Sequence, residues 1–360
     1  LFLNLNTKAI ILKKSILKKP ILVIKFGTAS ITTNSGELDE QVIAGIAQQV
    51  AQIHSQYHIV LVSSGAVAAG KSFIKDYKKS LSERKAAAAI GNTLLLNKYS
   101  QYFTPYGIHI AQSLSERTHF SNRKQFLQLK KTYEKLWENN IIPIANENDV
   151  VSNLELKFSD NDELATLIAV GFNASLLLFS TSVPGVLDAN GELITALETS
   201  DKSVLQLANK EKSASGLGGM TSKLTYTRLA NQMGIKAVIF GIGTENGILK
   251  AIRGEAGTVC EAQPCSMSAR NRWLASGSLI KGKVKVDLGA TAALNKRFSL
   301  LAVGVKEVIG DFEQGEVIEI LDEDNMAIAV AKTKISSGEL IKNLKTQNLE
   351  VANANDIVFI

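Results

Sequence analysis

Two glycine-flanked lysines could hold a phosphoryl group between them. Lys25 sits in ILVIKFGTAS, residues Ile21–Ser30, and Lys223 ends SASGLGGMTSK, residues Ser213–Lys223. In the second stretch Gly216, Gly218 and Gly219 lead into the helix-like run LTYTRLANQMG. Bare backbone N–H groups and the positive end of a helix suit phosphate, and a lysine adds a full charge. The spacing is not that of a P-loop. A glycine-rich loop ahead of a helix is also ordinary turn chemistry, so it is the pairing with Lys25 that makes phosphate the better reading.

Three polar stretches can complete such a site. Ser63-Ser64-Gly65-Ala66 is a small-residue loop that lets a ligand approach the backbone. Asn146-Glu147-Asn148-Asp149 directly follows the apolar run IIPIA. Ser159-Asp160-Asn161-Asp162-Glu163 opens a helical pattern, so one of its members is expected to cap that helix. Phosphoryl transfer needs positioning and charge neutralisation, and lysines at either end of the transferring group, organised by a carboxylate, provide both. An acceptor that is itself a carboxylate is already ionised at neutral pH and needs no general base. The chain has no H-R-D kinase loop, and its four histidines, His54, His58, His109 and His119, fall on helix or strand edges. Acidic side chains in the NEND stretch suit an ammonium group. A zwitterionic amino acid therefore fits as acceptor.

The elements that must position these residues alternate. Buried-strand runs are expected at Ile21–Phe26, His58–Ser63, Ile108–Gln112, Ile141–Ala145, Ser175–Ser180 and Ile235–Phe240. Helical periodicity occupies Asp39–His54, Leu81–Phe103, Arg123–Asn139, Asp162–Gly171 and Met220–Gly234. This is the pattern of an α/β fold, a mainly parallel sheet sandwiched by helices, with ligands at the carboxyl ends of the strands. The KFG, SSGA, NEND and STS stretches all fall there. After Gly254 the pattern changes to short alternating runs at Lys281–Val286, Leu300–Val305, Glu316–Leu321, Ala327–Ala331 and Asp356–Ile360, expected to form a small antiparallel β-barrel. The expected division is an N-terminal extension at 1–20, a kinase-like domain at 21–259, a linker at 260–274 and the barrel at 275–360.

At 360 residues, 45% hydrophobic and 21% charged, the composition is that of a soluble two-domain protein. No apolar run reaches the ~18 residues of a membrane span. The net charge of +6 is uneven. Residues 1–20 hold five lysines and no acid, whereas residues 281–360 hold 10 basic and 12 acidic side chains. No domain has the basic excess of a nucleic-acid binder. The extension lacks the charge order and cleavage site of a secretory signal. Cys260 and Cys265 are too few for a disulfide framework and lack partners for zinc, which fits reduced thiols in a cytoplasmic protein.

In order along the chain, VIKFGTAS, VSSGAVAAG, YGIHIAQ, NNIIPIANENDVV, SDNDELA, SGLGGMTSKL, RNRWL and VDLGATAAL resemble the glutamate 5-kinases of the amino-acid kinase family, with a C-terminal PUA domain. The likeness covers roughly residues 21–360. It implies ATP-dependent phosphorylation of the γ-carboxylate of L-glutamate, the first step towards proline, with Mg2+ accompanying the nucleotide and no dedicated metal ligands. By resemblance, Lys25 and Lys223 are phosphate-stabilising cations and Asp162 organises them. Glutamate binding falls on Ser64, Gly65, Asn146, Asp149 and Asn161. Nucleotide binding falls on Lys25, Gly27, Thr181, Ser182 and the loop Leu217, Gly218, Gly219, Met220, Thr221, Ser222 and Lys223. The resemblance also implies L-proline as feedback inhibitor, a glutamyl-phosphate reductase downstream, and a homo-oligomer. Two departures lie on the nucleotide side: the family commonly has Thr-Asp where this chain has Thr181-Ser182, and the glycine loop is shortened. Kinases of acetylglutamate, aspartate, carbamate or UMP are the alternatives within the family. RNA binding through the barrel is the alternative outside it, disfavoured by the barrel's acidic balance.

Overall fold

The computed structural model describes residues 19–33, 35–151, 160–199, 219–265 and 280–359. The expectations for residues 1–18, Ser159, Ser213–Gly218 and the RNRWL stretch lie outside the described residues.

The described residues between 19 and 119 and between 123 and 265 form one compact unit. Its described elements are β1 Ile21–Phe26, α1 Thr28–Ile31, α2 Glu40–Ile53, β2 His58–Ser63, α3 Ala66–Gly70, α4 Leu81–Phe103, β3 His109–Ser115, α5 Arg117–Ser121, α6 Arg123–Glu138 and β4 Ile141–Glu147. They continue with α7 Asn161–Phe172, β5 Leu176–Thr181, α8 Met220–Gln232, β6 Lys236–Gly241, α9 Gly247–Arg253 and β7 Thr258–Cys260. The strands make one sheet in the order β3-β4-β2-β1-β5-β6-β7. Every pairing is parallel except β6 with β7. The sheet is therefore the expected α/β one, with an antiparallel edge. Three residues are too few for a strand period to be read, so β7 goes unanticipated; it ends at Cys260, the first residue of the expected linker, which is a buried strand residue.

Local chemistry sets the helices. Asp39 caps α2 by accepting from the N–H groups of Gln41 and Val42. Ser80 and Glu83 form a reciprocal capping box at the start of α4. Ile43, Ile46, Ala47 and Val50 recur at helical spacing and face Leu22, Ile24, Phe26 and Leu61 in one core layer. The period of two along β1 sends Lys25 to the opposite face, where α7 packs across the strand. From β1 the chain passes to β2 on one side of the sheet, and from β5 to β6 on the other. The strand order thus reverses between β1 and β5, and the crevice at their carboxyl ends is where an α/β sheet takes its ligand.

The second unit comprises the described residues 280–359 with Phe120–Asn122. In it, β8 Ile280–Val286, β10 Val305–Ile309, β11 Val317–Leu321, β12 Ala327–Lys332 and β14 Ile357–Phe359 make a sheet ordered β10-β8-β11-β12-β14, while β9 Leu300–Leu301 pairs with β13 Glu350–Ala352. Val284, Val286, Ile318, Ile320, Ala329 and Ala331 alternate into its core with Leu294 and Leu340. The small β-rich unit stands as expected, but it is not wholly antiparallel: β8 and β11 run parallel. Alternating hydrophobicity reports which face a residue occupies, not the direction of the neighbouring strand.

Candidate active site

The first turn of α7 carries the densest set of functional side chains. Asp160 has extended backbone geometry, and its Oδ1 accepts from the N–H groups of Asp162 at 2.8 Å and Glu163 at 3.2 Å. The expected cap of the SDNDE stretch is thus Asp160. With the helix start fixed, Asn161, Asp162 and Glu163 occupy its first three positions, where the helix dipole favours acidic groups.

Asp162 is fully buried, and both its oxygens meet lysines. Lys25 Nζ, from β1, lies 2.6 Å from Oδ1, and Lys223 Nζ, from the first turns of α8, lies 3.1 Å from Oδ2. Burial works against the charged carboxylate, but the two ammonium groups outweigh it and hold Asp162 below the ordinary carboxylate range. Burial also pulls the Lys223 ammonium down, and Asp162 opposes that pull. Asp160 behaves oppositely. Burial, reinforced by the neighbouring charge of Asp162, raises its carboxyl, against a hydrogen bond donated by Ser222.

The lysines face a cleft of about 580 Å³ at the ends of β1, β2, β4 and β5. Its walls include Lys25, Gly27, Ser64, Gly65, Asn146 and Asp149 from the first half of the unit, and Asn161, Thr181, Ser182, Gly219, Met220 and Lys223 from the second. Asp162 lies beneath the wall rather than on it. Thr221 and Ser222 also do not line it: Thr221 is in the α8 helical ladder, and Ser222 Oγ donates to Asp160. Leu217 and Gly218 lie outside the described residues. Gly219 precedes α8 in extended conformation with no side-chain cap, so the first-turn N–H groups of α8 remain available beside the cleft.

The two sides of the cleft differ in kind. On the β2 and β4 side, Asn161 Nδ2 donates to Ser64 Oγ and to Asn146 Oδ1, both at 2.8 Å. On the β5 side, Ser180 Oγ, near the strand's end, is buried and among the described residues has no partner. The left-handed backbone of Gly65, with φ of 100°, turns the chain sharply after β2 and exposes Ser64.

Several residues of the site escape a sequence reading. Lys71, Lys79 and Arg84 add cations to the wall near α3 and α4; nothing in their spacing sets them apart from solvated charges. Glu163 is buried against Arg117 of α5 and accepts from Tyr226 of α8 at 3.3 Å, tying three helices together behind the lysines. Asn92 of α4 is buried and accepts from Asn146 Nδ2 at 3.1 Å. Its one sequence signal is a polar residue on the stripe Ala88, Asn92, Leu95, Tyr99. Of the histidines, His58 stacks on Trp137 and His119 accepts from the Glu116 backbone. Among the described residues no cluster of three metal-binding side chains occurs, no helix is long and apolar enough to cross a membrane, and both cysteines are free.

The profile of the amino acid kinase family matches residues 20–241, and that of the PUA domain matches residues 282–352. A glutamate 5-kinase of Kosmotoga olearia is 37% identical, over 91% of this chain and 93% of the relative. One of Thermotoga maritima is 38% identical, over 89% and 90%. Among solved structures, carbamate kinase from Giardia lamblia bound to AMP-PNP superposes with a TM-score of 0.51 at 17% identity, covering 68% of this chain and 99% of that one. The last shares the fold of the kinase unit alone. The overlap with the first two covers about nine-tenths of the chain: it belongs to the amino acid kinase family, and within it to the glutamate 5-kinases.

Proposed function

We infer that this protein transfers the γ-phosphoryl group of ATP to the γ-carboxylate of L-glutamate, giving an acyl phosphate and ADP. The observation that carries the reading is the buried Asp162 carboxylate holding Lys25 and Lys223 at the wall of a cleft large enough for both substrates. A γ-carboxylate oxygen attacks the γ-phosphorus, and the bond to the ADP oxygen breaks. The nucleophile is already ionised, so no side chain has to remove a proton. The transferring group is loose and carries its charge on its equatorial oxygens, so catalysis rests on position and on fixed cations. Lys25, Lys223 and the uncapped first turn of α8 supply that field.

The nucleotide is assigned to the side of β5 and α8, with Gly27, Thr181, Ser182 and the segment from Gly219 to Lys223. The acceptor is assigned to the side of β2 and β4, with Ser64, Gly65, Asn146, Asp149 and Asn161. Asp149 suits the substrate ammonium. Mg2+ would travel with the nucleotide, held by phosphates and waters rather than by a dedicated carboxylate set; when bound it offsets charge on the phosphates. The domain division at about 259 and 275, a homo-oligomeric assembly, proline as feedback inhibitor, consumption of the product by a reductase and a cytoplasmic location belong to the same reading.

The test is ADP release with L-glutamate, L-aspartate, N-acetyl-L-glutamate and UMP as acceptors. Turnover with glutamate at least tenfold above the others supports the assignment. Preference for any of the other three replaces it.

A further inference from the structure

The side-chain amides beneath the acceptor side form one directed chain. Asn146 Oδ1 accepts the backbone N–H of Glu147 at 2.9 Å. A backbone N–H can only donate, so this contact settles which end of the Asn146 amide is oxygen. Asn161 meets the same oxygen at 2.8 Å, so it does so through Nδ2, which also reaches Ser64 Oγ at 2.8 Å. The other end of Asn146, Nδ2, meets Asn92 at 3.1 Å, so the Asn92 atom there is Oδ1. Among the described residues both ends of the chain are open: Asn161 Oδ1, on a residue of the cleft wall, is a buried acceptor without a partner, and Asn92 Nδ2 is a buried donor without one.

Asn92 is held in place by close backbone packing. A Cβ on Gly91 would lie 1.7 Å from the carbonyl oxygen of Ala66, and one on Gly70 would lie 2.0 Å from that of Ala87. Only glycine permits α3 and α4 to approach so closely, and this contact locks α4 against the loop that carries Ser64 and Gly65. Asn92 follows Gly91 directly. An amide on the buried face of an alanine-rich helix costs stability; here Oδ1 is bonded to Asn146 while Nδ2, among the described residues, is not, so the side chain is kept at a net cost.

We propose that Asn92 is a positioning residue for the amino-acid acceptor, a role that rests on the glutamate kinase reading. By accepting from Asn146 Nδ2 it keeps that buried donor satisfied. Without it, Asn146 Nδ2 is left an unpartnered buried donor, and that penalty loosens the amide on which Asn161 depends for one of its two donor bonds. With Asn92 in place, Asn161 keeps its two donor bonds and presents Oδ1 to the substrate ammonium. Asn92 touches no substrate; it fixes the polarity of a group that does.

The test compares Asn92→Leu, which has the same branched skeleton but no polar atoms, with Asn92→Asp, which keeps an acceptor oxygen. The leucine variant is expected to raise glutamate KM roughly tenfold, with kcat and ATP KM within about twofold of wild type, and the aspartate variant to hold glutamate KM within about threefold. Asn92→Ala replaces the leucine variant if that does not fold. An unchanged glutamate KM in the apolar variant overturns the proposal, as does equal impairment of both variants. A substrate-free measurement separates this from the activity reading: the side-chain amide protons of Asn146, followed by NMR, should exchange slowly in wild type and Asn92→Asp and quickly in Asn92→Leu. Equal exchange in all three overturns the role of Asn92. A wild-type enzyme that releases no ADP with glutamate overturns the substrate assignment and leaves the exchange result to decide the amide chain.

Discussion

Lys25 and Lys223 share one carboxylate, taking opposite oxygens of Asp162 at 2.6 and 3.1 Å. They arrive from a central strand and from a helix far along the chain, and all three side chains are withdrawn from solvent. Two buried ammonium groups repel each other, so the carboxylate between them is what allows both to face one cleft. The arrangement holds positive charge ready before the phosphoryl group moves, which is the condition for stabilising a transition state without reorganisation.

Removal of either cation should therefore appear in the chemical step. Lys25→Ala and Lys223→Ala are each expected to lower kcat by the equivalent of about 2–4 kcal/mol of barrier, with a smaller change in glutamate KM. Steady-state kinetics with both substrates varied checks this. A variant with near-wild-type kcat would take its lysine out of the catalytic set.

Asp162→Asn should damage folding as well as rate. It leaves two buried cations facing a neutral amide, and breaking a buried pair typically costs about 3–5 kcal/mol. The pH dependence has a definite sign. In the folded state the carboxyl of Asp162 is held below its value in the unfolded chain by the two ammonium groups, which outweigh burial. Its stabilising contribution is therefore complete above that value and is lost as pH falls through the lower, folded-state pKa. Acid denaturation monitored by circular dichroism should show wild type losing this contribution below about pH 4, and Asp162→Asn lacking it. If the two proteins have equal stability at pH 7, the carboxylate is not the organiser described here.

The lysines and the sheet were legible because each lay at the border of an apolar run and a glycine signal: Lys25 interrupts LVIKF, and Lys223 ends a glycine-rich loop. Asp162 as their organiser came from the resemblance alone, because SDNDE offers three acids and no spacing that separates them. Asn92 and Glu163 were not legible, because their meaning depends on partners far away in sequence: Asn146 is 54 residues from Asn92, and Tyr226 is 63 from Glu163. The parallel pairing of β8 with β11 was hidden for a related reason: a strand's own alternation is the same whichever way its neighbour runs. The SDNDE stretch was the instructive case. Capping and chemistry were competing readings, and the structure divides them between adjacent residues, Asp160 for the cap and Asp162 for the lysines.

Asp149 offers a contrast to the lysines. It lines the cleft on the β4 side, away from the α8 turn. An ammonium partner contributes equally before and during transfer, so Asp149→Ala should raise glutamate KM by roughly tenfold or more and leave kcat within a fewfold. The measurement is glutamate saturation at fixed, saturating ATP. A defect confined to kcat would contradict its assignment to the substrate amine.

Ser182 tests the other side of the cleft. It lines the wall just after β5, next to Thr181, and is exposed there. Where the related kinases commonly carry aspartate, this chain has a hydroxyl that can donate as well as accept but bears no charge. Ser182→Asp places an acceptor with a full negative charge beside the proposed nucleotide position. Hydroxyl or amino donors of the nucleotide would bond to it more strongly, while solvent exposure limits the gain. The expected outcome is a severalfold change in ATP KM or in the preference for ATP over GTP, with glutamate KM essentially unchanged. The strand order makes the prediction specific. β5 lies across β1 from the β2 and β4 ends that carry Ser64, Asn146 and Asp149, so a charge added at residue 182 should be felt by one substrate and not the other. Kinetics with each nucleotide at saturating glutamate, and with glutamate varied at saturating ATP, separate the two effects. A shift in glutamate KM with ATP KM unchanged would reverse the assignment of the two sides of the cleft.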